Sequence, residues 1–293
     1  MKQIRIPGLI DVIKIDQAAD IKQLAAGETI DRTFEPGGPL LNRLLVGGVL
    51  KTLSWQGLRF PTMRARAAEG RAANQDQLWA RLSSMAPQLR QAPDTLEPLA
   101  RWLRGHEDGV HVGQLLQQVI GSAFVSGYTA SAESWAAAMT MGQALAPGNA
   151  LRKLVWRING RVRTAKALLA SLAGNDTSAM HATGVAIHNM VKGMVQMRAL
   201  YQSEPSLDPA EAARRCLYAP AAVLRQPLRD GNVGGCPFSR RTLLVLELDK
   251  ARQVSGDEAM VFLSQSWSRC PADGWVPALY EGIWKRALAS SAS

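Results

Sequence analysis

Cys270 stands in the segment Phe262-Leu-Ser-Gln-Ser-Trp-Ser-Arg-Cys-Pro-Ala272, between a short apolar run and a strongly amphipathic stretch. A cysteine at such a corner can present its sulfur to a metal, because the thiolate is the ligating form. Beyond it, Val276, Leu279, Tyr280, Ile283, Trp284, Ala287 and Leu288 recur at helical spacing, which predicts a helix burying one face. That helix is expected to begin next to Cys270, its positive N-terminal end favouring an anionic sulfur. Cys216 and Cys236 add no disulfide framework, and no Cys-x-x-Cys pair exists for zinc. His181 and His188 share a helix face two turns apart, roughly 10 Å, which is too far to hold one zinc ion together. No His-Glu-x-x-His, phosphate-binding loop, Gly-x-Ser-x-Gly or dinucleotide glycine pattern occurs.

The elements that must position Cys270 follow from composition and periodicity. The 293 residues are 47% hydrophobic, enough for a packed core, and no linker or long charge run divides them. A single mainly helical domain over 1–293 is therefore expected. No run of about eighteen apolar residues appears, so no membrane span is expected, and the N-terminus lacks an apolar signal core. A cytoplasmic location fits these features. The net charge of +10 is spread along amphipathic helices as a solvated face, so nucleic acid is not an expected partner.

Along the chain, Ile10-Asp-Val-Ile-Lys-Ile15 alternates like a half-buried strand, and Asp16 is placed to cap a helix over 17–26. Glu35-Pro-Gly-Gly-Pro39 marks a turn. Helices are predicted over 64–86, closed by Pro87, and over 96–104, 110–124, 131–146 (capped by Ser131 and ended by Pro147-Gly148) and 151–172. The longest helical signal, 176–201, carries Met180, Met190, Met194 and Met197, read as core. A short helix starts at Asp208-Pro209. After Pro220, the segments 221–226, 242–248 and 260–263 read as short strands, so a minor sheet is gathered from both ends of the chain.

Taken in order, these features resemble a bacterial cytochrome P-450, a haem-thiolate protein, in a form truncated at the N-terminus. The features are Ala182-Thr183-Gly184 in the long helix, Glu211-Ala-Ala-Arg214, Tyr218-Ala-Pro220, a strand with Arg225, and Cys270 before the closing helix. The resemblance implies haem b, with Cys270 as the iron ligand and Arg225, Arg59, Arg64 and Trp55 around the propionates. It implies a substrate pocket touched by Thr183, Gly184 and Ile187, and a small or lipid-like organic substrate.

The chain also departs from that family. Ala186 and Ile187 occupy the positions of the usual acid and threonine that deliver protons to dioxygen. Ser266 and Ser268 replace a glycine and a basic residue. Alignment on Pro220 puts Ala213 and Cys216 where a Glu and an Arg belong. The expected activity is therefore peroxide-dependent or redox-neutral, an oxidoreductase, isomerase or dehydratase. The alternative is a haem-free, degenerate P-450-like binding or scaffold partner of another enzyme.

Overall fold

The computed structural model describes residues 1–34, 37–106, 109–146, 148, 155–156 and 158–289. The chain forms two compact units, each assembled from separated segments. The first comprises Met1–Lys51, Thr62–Leu78 and Tyr218–Asp273; the second comprises Thr52–Pro61, Trp79–Leu217 and Gly274–Ser293.

The first unit is built on a five-stranded sheet. Its strands are β1 (Lys2–Ile6), β2 (Ile10–Ile15), β3 (Ile30–Asp31), β6 (Val223–Pro227) and β9 (Leu243–Leu246), in the order β1-β2-β9-β6-β3. β2 runs parallel to β9, with Val12 opposite Leu243 and Ile15 opposite Leu246, while β6 is antiparallel to both β9 and β3. The two ends of the sequence thus meet in one sheet, as the alternating apolar runs predict. Ile13, Ile15, Leu244 and Leu246 bury against Ile21 and Leu24 of α1 (Ala18–Ala26) and Leu248 and Ala251 of α11 (Leu248–Ser255). Each buried Ile or Leu contributes roughly 1.5–3 kcal/mol by leaving water. The hairpin of β7 (Gly231–Val233) and β8 (Cys236–Phe238) turns at Gly234 and Gly235, both at positive φ (51° and 81°), a conformation that disfavours side chains with a Cβ. The unit also holds α2 (Leu40–Thr52) up to Lys51, the start of α3 (Arg71–Arg90), and α12 (Ala259–Phe262).

Among its described residues, the second unit is helical apart from the small hairpin of β4 (Ser54–Trp55) and β5 (Leu58–Arg59). After the remainder of α3 come α4 (Glu97–Leu103), α5 (Val112–Phe124), α6 (Ala132–Leu145), α7 (Arg161–Leu172) and α8 (Thr177–His181). A π-helical turn at Ala182–Ala186 leads into α9 (Ile187–Ser203), followed by α10 (Pro209–Arg215) and α13 (Trp275–Ala289). Ser131 caps α6 as expected, reciprocally with Ser134, and α10 starts at Pro209 as expected, with the Asp208 carboxylate accepting from the Ala210 and Glu211 N–H groups. Met180, Met190, Met194 and Met197 are core residues. Tyr280 of α13 donates its hydroxyl to the Met190 carbonyl at 2.8 Å, over Gly193, where a Cβ would come within 2.3 Å of that oxygen.

Several expectations are corrected. Asp16 is not a helix cap: its carboxylate takes the N-terminal amine and Lys250, and Gln17 precedes α1. The helix foreseen over 64–86 begins at Arg71, after Gly70 at φ 65°, and runs through Pro87 to Arg90. Proline inside a helix costs about 3 kcal/mol, and burial of Leu82, Ala86 and Leu89 on one helical stripe offsets it. The strand foreseen at 260–263 is the helical turn α12. Asp257 starts it by accepting from the Ala259 N–H at 3.0 Å, and Leu263 ends it at φ 50°. Glu35 and Pro36 of the expected turn, Pro147, and 149–154 and 157 of the expected helix over 151–172 lie outside the described residues; within that helix, the structure gives α7 from Arg161.

Candidate functional site

Three arginines of the first unit are buried together: Arg32 is 5%, Arg71 7% and Arg225 3% exposed. Each comes from a different element. Arg32 follows β3, Arg225 lies on β6, which pairs with β3, and Arg71 opens α3. The carboxylate among them is Asp31, whose Oδ1 accepts from the backbone N–H groups of Arg32 (2.6 Å) and Arg66 (2.8 Å). Asp31 thus stitches the segment before α3 to the sheet.

The cluster is electrostatically unbalanced. Burial pushes the Arg225 guanidinium down to about 10, Arg71 adds to the shift, and Asp31 only partly opposes it. Arg32 is lowered by burial and then by Arg225 and Arg71, and Arg71 by burial and by Arg64 and Arg66. The partners of the Arg225 guanidinium are neutral: the Leu224 carbonyl at 2.8 Å and the Ser268 hydroxyl at 2.9 Å. Arg71 stacks on Trp267, its guanidinium carbon 4.5 Å from the ring centre, and Arg32 lies 5.3 Å from the same ring. Among the described residues, the buried Nε of Arg71 and Nε1 of Trp267 have no hydrogen-bond acceptor. Buried donors left this way are costly, and an acceptor reaching them would be stabilising.

Ser268 and Trp267 belong to the loop that carries Cys270. The Cys270 N–H closes this loop onto the Phe262 carbonyl at 2.7 Å, and Gln75 of α3 donates to the Arg269 carbonyl at 3.0 Å. Ser266 and Ser268 bond to each other at 2.9 Å, so the serines form a chain from the loop to Arg225. The expectation of an acidified thiol is overturned. α13 starts only at Trp275, and burial pushes the Cys270 thiol up to about 11, more than the Ala272 N–H facing the sulfur lowers it. Among the described residues, no group of three or more His, Cys, Asp or Glu gathers to hold a metal. A metal at this sulfur would need its other ligands from elsewhere, as from a macrocycle.

The remaining residues singled out from the sequence divide between the units. Arg64 lies in the first unit, near enough to Arg71 to depress it. Trp55 and Arg59 form the β4–β5 hairpin of the second unit, where the Trp55 indole donates to Asn175 at 3.0 Å. Thr183, Gly184 and Ile187 lie at the π turn, whose Ile187 N–H reaches back to the Ala182 carbonyl. Thr183 is fully buried. Its hydroxyl donates to the Ala179 carbonyl at 2.8 Å, and its carbonyl accepts from Gln117, which also accepts from Ser134. A Cβ on Gly184 would come within 2.7 Å of Leu169, so Gly184 permits close packing on α7. Glu211 and Arg214 form an outward ion pair (2.6 Å), whereas Ala213 and Cys216, like Ala212, are buried.

No family model and no curated protein matches this sequence. Solved structures do. CYP175A1 from Thermus thermophilus superposes at a TM-score of 0.61 with 15% identity, over 96% of this chain and 82% of that one. A six-coordinated cytochrome P450 from a second strain of Thermus thermophilus gives 0.60 at 13% identity, over 94% and 84%. CYP105N1 from Streptomyces coelicolor gives 0.56 at 12%, over 99% and 83%.

The chain has a cytochrome P450 fold.

The resemblance read from the sequence is thus shown at the level of fold, mainly helical with a minor sheet and shorter than these P450 chains. Arg32, Arg71 and Trp267 were not foreseen. An arginine at a helix start looks like a solvated one, and a tryptophan between two serines has no periodicity to betray it.

Proposed function

We propose that this protein is a haem-thiolate protein of the P450 type, with Cys270 as the axial sulfur ligand to haem b. The observation that carries this reading is the buried excess of positive charge beside the cysteine loop. Carboxylates such as haem propionates would supply the missing acceptors for Arg71 Nε and Trp267 Nε1 and neutralise Arg225. Bound there, haem would supply iron whose reactivity is tuned by electron donation from the thiolate. Arg225 is held for that task by Ser268, which stands in for a cation of its own at this loop position.

Ala186 and Ile187 offer no proton-carrying group at the bend of the central helix, and the Thr183 hydroxyl is engaged with Ala179. The chain is therefore suited to peroxide-type or redox-neutral conversion of a small or lipid-like organic substrate, with Ile187 as an apolar contact. Titrating purified protein with haem b tests this reading. Saturable uptake at one equivalent with a thiolate-type absorption spectrum supports it; no uptake favours a haem-free binding or scaffold partner, a reading consistent with Ala213 and Cys216 replacing an ion pair.

A further inference from the structure

We propose that α2, together with the β1–β2 turn, docks this protein onto an anionic lipid bilayer. The segment Leu-Leu-Asn-Arg-Leu-Leu-Val-Gly-Gly-Val-Leu-Lys-Thr is mounted with its leucines outward. Leu40, Leu41, Leu44 and Leu45 are 45, 41, 62 and 51% exposed, whereas the polar Asn42 is buried at 6%. Asn42 fixes this rotation, since its amide accepts from the Asp11 N–H (3.2 Å) and donates to the Asp11 carbonyl (2.6 Å). The four leucines recur at i, i+1, i+4 and i+5, which is one stripe of a helix.

The stripe continues onto the hairpin. The N–H groups of Leu40 and Leu41 donate to the carbonyls of Gly8 and Leu9, so α2 starts against the β1–β2 turn, where Ile6 and Leu9 are also exposed. Exposed apolar side chains that adjoin in this way, rather than lying scattered, mark a binding surface.

Charge selects the occupant. α2 contains Arg43 in its first turn and no acidic residue, and Arg241 lies beside its start, where its carbonyl accepts from Asn42. The neighbouring Asp11 is already held by Arg5 and Thr242. A second copy of this chain would bring the same cations face to face. Anionic headgroups would neutralise them while the leucines enter the acyl boundary.

The test is sedimentation of the full chain with vesicles of equal parts phosphatidylglycerol and phosphatidylcholine, and with phosphatidylcholine alone. The expected result is binding to the anionic vesicles only, weakened by salt, and weakened roughly tenfold or more by Leu44→Glu/Leu45→Glu with an unchanged far-ultraviolet spectrum. Val254→Glu, at an exposed apolar position on α11, should bind as the native chain does. The proposal is overturned by no binding to anionic vesicles, by equal binding to both kinds, or by equal binding of the double variant. It is also overturned by a native dimer that the double variant dissociates without any vesicle binding.

Discussion

Arg71 places a guanidinium on Trp267 with its Nε buried and lacking an acceptor, so its charge should cost stability until an anion arrives. A buried charge whose burial outweighs its pairing is unfavourable, and here burial lowers Arg71 more than Asp31 raises it. Arg71→Met should therefore raise the denaturation midpoint of haem-free protein while lowering haem retention. A fall in both would make Arg71 merely structural. At Cys270 the thiol is held up to about 11, so near neutral pH it is protonated and, in the proposed role, would have to lose that proton to ligate iron. Haem affinity should then rise about tenfold per pH unit between roughly pH 7 and 9, and Cys270→Ser should abolish that slope. A pH-independent affinity would remove the thiolate from the account.

Elements were legible where one local signal dominated. The alternation of Ile10–Ile15, the Ser131 cap, Pro209 at a helix start and the methionine stripe each led to the observed strand or helix. They were illegible where tertiary packing or an unnoticed cap decided, as at Pro87 and at Asp257 before α12. The candidate site follows the same division. Cys270 and Arg225 stand in a recognisable order along the chain, whereas Arg71 reaches Trp267 only through the meeting of distant segments. α13 offers a packing test. A Cβ on Gly282 would lie 2.0 Å from the Leu89 carbonyl oxygen, but one on Gly274 would meet nothing within 4 Å. Gly282→Ala should destabilise by about 1–3 kcal/mol in urea unfolding, with Gly274→Ala near neutral. At the π turn, Ala186 and Ile187 predict negligible turnover with an electron donor and dioxygen compared with a hydroperoxide. Efficient donor-driven hydroxylation would contradict that reading.

Across the whole molecule, folding depends on pH through its paired carboxylates. Asp16 is held well below the usual carboxylate range by Lys250 and the N-terminal amine, and Glu211 is lowered to about 2 by Arg214 and Arg215. A depressed folded-state pKa contributes stability that is present above the unfolded value, near 4, and is lost as pH falls toward the folded one. Stability should therefore decline progressively below about pH 5, and Lys250→Met should flatten that decline in acid titrations followed by circular dichroism. The fold itself is that of a P450, and the central claim is that its cysteine loop serves the same chemistry. The most direct measurement is the absorption spectrum of the haem-saturated protein beside that of Cys270→Ser. The account predicts a thiolate-type spectrum in the native protein that is lost in the variant. An identical haem spectrum in both, or no haem uptake by the native chain, would contradict it.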